Sequence, residues 1–226
     1  MAPMNDSLTL HEHGAELRSG AVARGLDDLR SVLAHLPQDA AGIRINGVKG
    51  LRQFLSSDGL IGSFAASVLG YETRAVRAVL FNKTTDTNWS LTWHQDRTIC
   101  VRQRVEVSGY GPWTVKAGLQ HVAPPFDLLT RMVTLRVHLD DVPITNAPLI
   151  VAPRSHKLGR VSVDAIEPAV KKCGSYTCLA EAGDIWLYST PILHASDVAT
   201  VPAQRRVLQV DFAAEELPHG LKWLGV

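Results

Sequence analysis

From about Thr73 onward the chain is written in short β-strands, and no other feature constrains its fold as much. Apolar and β-branched residues alternate with polar ones in runs at 75–82, 90–94, 99–107, 132–139, 149–151, 176–179, 184–188 and 206–212. Gly, Pro and Asn separate the runs. Alternation of period two gives each strand one apolar and one polar face. Many short strands with turn signals between them predict a sandwich or barrel rather than a parallel α/β sheet. Among closed β folds the expected one is the jelly roll, the double-stranded β-helix of cupin type.

Helical signals fall in the N-terminal third. Leu26, Leu29, Leu33 and Leu36 recur at helical spacing over 24–36, and Pro37 stops the run. Gly42 to Asn46 alternates as a short strand. Asp58 is a candidate N-cap for a helix with Leu60, Phe64 and Val68 on one apolar face and Gly70 at its end. The expected architecture is mainly β with N-terminal helices. It forms one domain over 1–226, with a helical buttress at 1–72, a jelly-roll core at 73–213 and a tail at 214–226.

Composition removes several function classes. Hydrophobic residues at 46% and charged ones at 20% are ordinary for a folded domain. A net charge of +1, with no dense Lys/Arg stripe, gives no nucleic-acid footprint. No apolar run reaches membrane-spanning length, so no membrane partner is expected. Cys100, Cys173 and Cys178 form neither a disulfide framework nor a zinc knuckle. The start, MAPMNDSLTLHEHG, lacks the basic-then-apolar pattern of a leader. These readings describe a soluble cytoplasmic protein with a small-molecule substrate, and they leave oligomeric state open.

Chemistry concentrates in a split motif. His94 and Asp96 lie in Trp93-His94-Gln95-Asp96, and His194 lies in Leu193-His194-Ala195-Ser196, with Arg205 following. On a strand, residues two apart share a face, so His94 and Asp96 can converge while Gln95 points away. Two histidines and one carboxylate hold one face of an octahedral Fe(II) and leave the remaining positions open. An arginine nearby can clamp a carboxylate with its fork. A non-haem iron oxygenase with a keto-acid cosubstrate fits this set. His11, His13, His35, His121, His156 and His219 read as surface, turn or packing residues.

From Ala75 to Phe212, about three fifths of the chain, the sequence resembles the phytanoyl-CoA dioxygenase-like enzymes. The resemblance rests on the strand VLFNKTTD (79–86), on WHQD, on the turn NAPLIVAPRSHK (146–157), and on ILHAS followed by Arg205. It departs at Arg154, where the family usually has glycine, adding a cation near the pocket rim. It also departs in an enlarged segment, 103–126.

The resemblance implies a jelly roll dependent on Fe(II), 2-oxoglutarate and O2. It assigns His94, Asp96 and His194 to iron, and Arg205 and Ser196 to the far carboxylate of 2-oxoglutarate. It sets Val79 along the cosubstrate. Val79 reads equally as core, Ser196 as a turn residue, and Arg206 replaces Arg205 if the strand slips by one. On 132–141, Thr134, Arg136 and His138 share the polar face. Arg136 and His138 are expected at the substrate, or else on an exposed strand face. Trp113, in a Gly/Pro-rich loop, is either a cover over substrate or a local anchor.

The implied reaction is hydroxylation of a small organic substrate with decarboxylation of 2-oxoglutarate to succinate. Two other readings use the same ligands: a jelly-roll metal-binding or regulatory protein without redox chemistry, and a metal-dependent hydrolase. The hydrolase leaves Arg205 and Ser196 unexplained.

Overall fold

The computed structural model describes residues 7–37 and 40–226, so the first six residues of the stretch read for a leader lie outside it. Thirteen strands run through the described residues. They are β1 Ala15–Arg18, β2 Gly42–Ile45, β3 Arg74–Lys83, β4 Leu91–His94, β5 Ile99–Val101, β6 Trp113–Lys116 and β7 Leu119–Val122, followed by β8 Val133–His138, β9 Leu149–Val151, β10 Tyr176–Cys178, β11 Ile185–Ser189, β12 His194–Ser196 and β13 Arg205–Ala213. The helices are α1 Leu10–His13, α2 Leu26–Leu33, α3 Arg52–Leu55, α4 Gly62–Leu69, α5 Phe126–Thr130 and α6 Ile166–Cys173.

A six-stranded sheet in the order β1-β11-β8-β13-β3-β2 faces a four-stranded sheet in the order β10-β9-β12-β4. All of their pairings are antiparallel. The mainly β jelly roll read from the sequence is the fold observed.

Alternation along the large sheet sets its two faces. Leu80, Leu135, Val137, Leu208, Val210 and Phe212 point outward and pack with Leu26, Leu29 and Leu33 of α2, Phe54 and Leu55 of α3, and Ala65 of α4. The N-terminal helices therefore cover one face of the sheet and share one apolar core with it. At one end of the sandwich, Leu149, Val151 and Cys178 of the small sheet meet Trp186 and Tyr188 of the large one. Tyr176 and Trp186 pack edge to face at 5.9 Å.

The structure corrects three local expectations. The helix read over 24–36 is a 3-10 turn at Ala23–Gly25 followed by α2, which ends at Leu33. α4 begins at Gly62, with Ile61 at its N-cap position and no cap from Asp58. A Cβ at Gly62 would lie 2.0 Å from the Ser56 carbonyl oxygen, so the chain crosses α3 where only glycine fits. The buried residues of α4 are Gly62 and Ala65, Leu60 and Phe64 pack against the same core, and Val68 is 40% exposed.

The strand read over 99–107 stops at Val101, and the enlarged segment forms the hairpin β6–β7, which pairs with β5. Its turn is Ala117-Gly118, both at positive φ as a two-residue hairpin requires. An Ala-Gly turn hides the signal that Asn-Gly would have carried.

Candidate metal centre and its cationic cavity

Strand pairing brings together histidines that are far apart in the chain. β12 runs antiparallel to β4 with His194 opposite His94, and the two rings lie 4.2 Å apart. A register shift between His194 and Ser196 bends the pair at this point, a common device beside functional sites. Asp96 lies just past the end of β4, so the expected i, i+2 strand geometry holds only as far as His94.

Gln95 locks the turn instead. It donates to the carbonyls of Gly159 (3.0 Å) and Pro191 (2.9 Å) and accepts from the Val161 N–H (3.0 Å). Ser155 steadies the other strand by accepting from the Leu193 N–H at 2.9 Å.

His94, Asp96 and His194 each offer one ligand atom, all within 4.8 Å of one another. His94 Nδ1 lies 2.8 Å from the Thr92 carbonyl, and His194 Nδ1 lies 3.0 Å from that of Ile192. A carbonyl only accepts, so each Nδ1 carries the proton and each Nε2 presents a lone pair. Burial, and then the neighbouring His94, lower His194 to about 4, which keeps that ring neutral.

Burial opposes the Asp96 carboxylate, but Arg77, His194 and His94 outweigh it and hold Asp96 below its ordinary value. Arg77 donates to Asp96 (3.2 Å) and to Asp211 (2.5 Å), and Asp211 also accepts from Thr134 (3.0 Å). Burial lifts the Asp211 carboxyl despite Arg77. Two imidazoles with free Nε2 and one anchored carboxylate are a donor set that suits Fe(II).

These residues line a cavity of about 470 Å3 between the sheets. Seven cationic side chains line it too: Arg44, Arg77, Lys83, Arg97, Lys116, Arg136 and Arg205. Asp96 is the single lining carboxylate among the described residues.

Register separates the two candidate arginines. Arg205 lies opposite Lys83 and is 2% exposed, with its Nη1 donating to the Ala147 carbonyl (2.5 Å) and its Nε unpartnered. Arg206 turns outward and makes a two-pronged contact with Asp140 at 2.9 and 2.7 Å. Ser196 is buried and donates to the same Ala147 carbonyl at 3.1 Å, and Val79 lines the cavity wall.

Lys83, which the sequence reading passed over, is buried beside them. It donates to the carbonyls of Trp89 (2.6 Å) and Asp197 (2.9 Å) and to the Ser196 hydroxyl (3.3 Å). Burial, with Arg205 and Arg136, brings its ammonium down to about 8. Burial and Arg136 bring Arg205 down to about 9. Burying a cation with no carboxylate in contact is costly, and burial is the first cause of both shifts.

The expected substrate contacts divide. Arg136 lines the cavity, donates to Gln209 (2.9 Å) and leaves its Nε unpartnered. His138 shares its face but lies deeper, with both ring nitrogens buried and unpartnered, and it does not line the cavity. Burial first, and then Arg136 and Arg205, lower it to about 3.

Trp113 does not line the cavity either. It packs with Val105, Tyr110 and Phe126 against the cluster of Val76, Val101 and Trp223, and Arg104 sits over its ring at 5.5 Å. It is a local anchor because the hairpin that carries it folds back on β5. Arg154 does not reach the rim. At φ 71 it points to Glu12 of α1 at 3.0 Å, and its backbone N–H donates to His13.

Residues 46–207 match the family model described as phytanoyl-CoA dioxygenase (PhyH). No curated protein sequence matches the chain significantly. Among solved structures, EctD from S. alaskensis in its apo form superposes with a TM-score of 0.67 at 17% identity, over 98% of this chain and 82% of that one. HygX from Streptomyces hygroscopicus with nickel and 2-oxoglutarate bound gives 0.61 at 14% identity, over 92% and 87%. The epimerase SnoN in complex with Fe3+, alpha ketoglutarate and nogalamycin RO gives 0.62 at 16% identity, over 93% and 88%. At such identities the likeness is one of fold.

Proposed function

The chain belongs to the phytanoyl-CoA dioxygenase family, non-haem oxygenases that use Fe(II), 2-oxoglutarate and O2, and we propose that it hydroxylates a small organic molecule at His94, Asp96 and His194. One observation carries this reading. A donor set suited to iron shares a cavity with buried cations that lack a carboxylate partner. A bound metal and its cosubstrate supply the redox chemistry, in which O2 drives decarboxylation of 2-oxoglutarate to succinate and CO2 together with oxidation of the substrate.

The chain supplies geometry and charge. His94 and His194 present Nε2 because their Nδ1 protons are committed to backbone carbonyls. Arg77 holds one oxygen of Asp96 and leaves the other free to act as ligand. Arg205 takes the far carboxylate of 2-oxoglutarate through its unpartnered side. Ser196 and Lys83 complete that end, and Val79 bounds the wall.

The test is succinate formation from 2-oxoglutarate with Fe(II) and O2, with products identified alongside it, because a neighbour of this fold is an epimerase. The native protein should form succinate and a hydroxylated product. Arg205→Ala should raise the 2-oxoglutarate requirement by about 10- to 100-fold, as expected for losing a charge-assisted fork. Succinate formation that ignores both Asp96→Ala and Arg205→Ala would overturn the assignment.

A further inference from the structure

The cavity carries more positive charge than a dicarboxylate cosubstrate accounts for. Lys83, Arg136 and Arg205 are buried at its inner end. Arg44 and Arg97 are half-buried and Lys116 is exposed, so these three mark the mouth. They come from separate elements: the edge strand β2, the turn after Asp96, and the β6–β7 hairpin.

Among the described residues none of the three forms an ion pair. Arg97 donates only to the Val161 carbonyl, and the Arg44 Nε is buried without a partner. Other arginines of this chain, such as Arg77, Arg131 and Arg206, are matched by carboxylates. Burial lowers the His121 ring, and Arg44, Arg77 and Lys116 lower it further, so Arg44 and Lys116 share a neighbourhood, while Arg97 joins them as a lining residue of the same cavity. An unmatched cluster aimed into a cavity is a recognition surface for an anion. The volume, about 470 Å3 for cosubstrate and substrate together, favours a compact occupant.

Resting on the oxygenase reading above, we propose that the prime substrate is a small molecule bearing a carboxylate or phosphate group. Arg44, Arg97 and Lys116 hold that group at the mouth, and the carbon to be oxidised points inward to His94, Asp96 and His194.

The test uses the full chain loaded with Fe(II) and saturating 2-oxoglutarate, with O2 excluded. Inorganic phosphate and benzoate are the probes, and benzamide is the neutral match. Binding is read from the thermal midpoint, and retention of 2-oxoglutarate from the visible charge-transfer band of its iron chelate. Phosphate and benzoate should bind saturably without erasing the band, and benzamide should not bind. The double variant Arg44→Gln/Lys116→Gln, and separately Arg97→Gln, should weaken the anions by roughly tenfold or more. Their affinity for 2-oxoglutarate should stay unchanged.

Equal anion affinity in the variants would overturn the proposal, as would benzamide binding as well as benzoate. Anions that erase the band would assign these cations to the cosubstrate and overturn it too. Absence of the band in the native protein would instead count against the oxygenase reading. The phosphate titration of metal-free protein, native against the double variant, would still decide the mouth.

Discussion

The two faces of the large sheet do opposite things. Outward, Leu80, Leu135, Val137, Leu208, Val210 and Phe212 are buried under the N-terminal helices and stabilise the fold. Inward, the same strands carry Lys83, Arg136, His138 and Arg205, which are buried and like-charged or neutral, and Arg136, His138 and Arg205 leave polar atoms unpartnered. Such groups oppose folding until a ligand satisfies them. Alternation tells an apolar face from a polar one but does not tell a solvated polar face from one that lines a site. Charge and unmet hydrogen bonds do.

The largest effect should come from crossing the faces. Asp96→Ala should cut turnover by about 10³-fold by removing a metal ligand, at several kcal/mol of lost stabilisation. Leu135→Ala should cost about 2–5 kcal/mol of stability while the dissociation constant for Fe(II) stays the same. Urea unfolding and anaerobic iron titration on both variants check the pair. If Asp96→Ala keeps its turnover, the division between the faces is drawn in the wrong place.

Arg77→Gln probes a residue that acts through another. Asp96 would lose its tether, so iron affinity should fall by about 10- to 100-fold. A lesser loss of stability is also expected, because Asp211 loses its partner. An iron affinity equal to that of the native protein would reduce Arg77 to a structural bridge.

pH separates the faces as well. The Lys83 ammonium is held near 8 in the folded protein, against 10.5 ordinarily. Between those values the unfolded chain binds more protons than the folded one, so stability rises with pH across that window. Below about 8 both states are charged and the burden is at its fullest. The native protein, free of metal and cosubstrate, should therefore gain stability over Lys83→Met as pH climbs through that window. Its 2-oxoglutarate affinity should fall over the same range. Parallel stability profiles for the two proteins would remove Lys83 from the account.

The smallest effect belongs to Arg206. Its contact with Asp140 is partly exposed, so Arg206→Ala should cost about 1 kcal/mol or less and leave 2-oxoglutarate binding alone. A raised cosubstrate requirement in that variant would mean that the strand register is off by one.

Much of this was legible in the residues. Alternation and turns pointed to a sandwich or barrel with a jelly roll expected, and the types and order of His94, Asp96 and His194, together with the family resemblance, pointed to their convergence. Arg205 against Arg206 stayed open because only strand register decides which side faces in. Lys83 was hidden at the end of an apolar run, although counting by two from Val79 reaches it. The role of Gln95 depends on Gly159, Val161 and Pro191, which lie far along the chain. Trp113 was ambiguous because a Gly/Pro-rich loop does not declare which way it folds. Arg44 and Lys116 carried no motif, and only closure of the sheets brings them to one cavity.

The most direct measurement is an anaerobic titration of metal-free protein with Fe(II) and then 2-oxoglutarate, following the visible charge-transfer band of the chelate. His194→Ala and Arg205→Ala would run alongside. The account predicts a band in the native protein, none in His194→Ala, and a band that needs about 10- to 100-fold more 2-oxoglutarate in Arg205→Ala. Iron that binds the native protein without giving a band, or a band that survives His194→Ala unchanged, would contradict it.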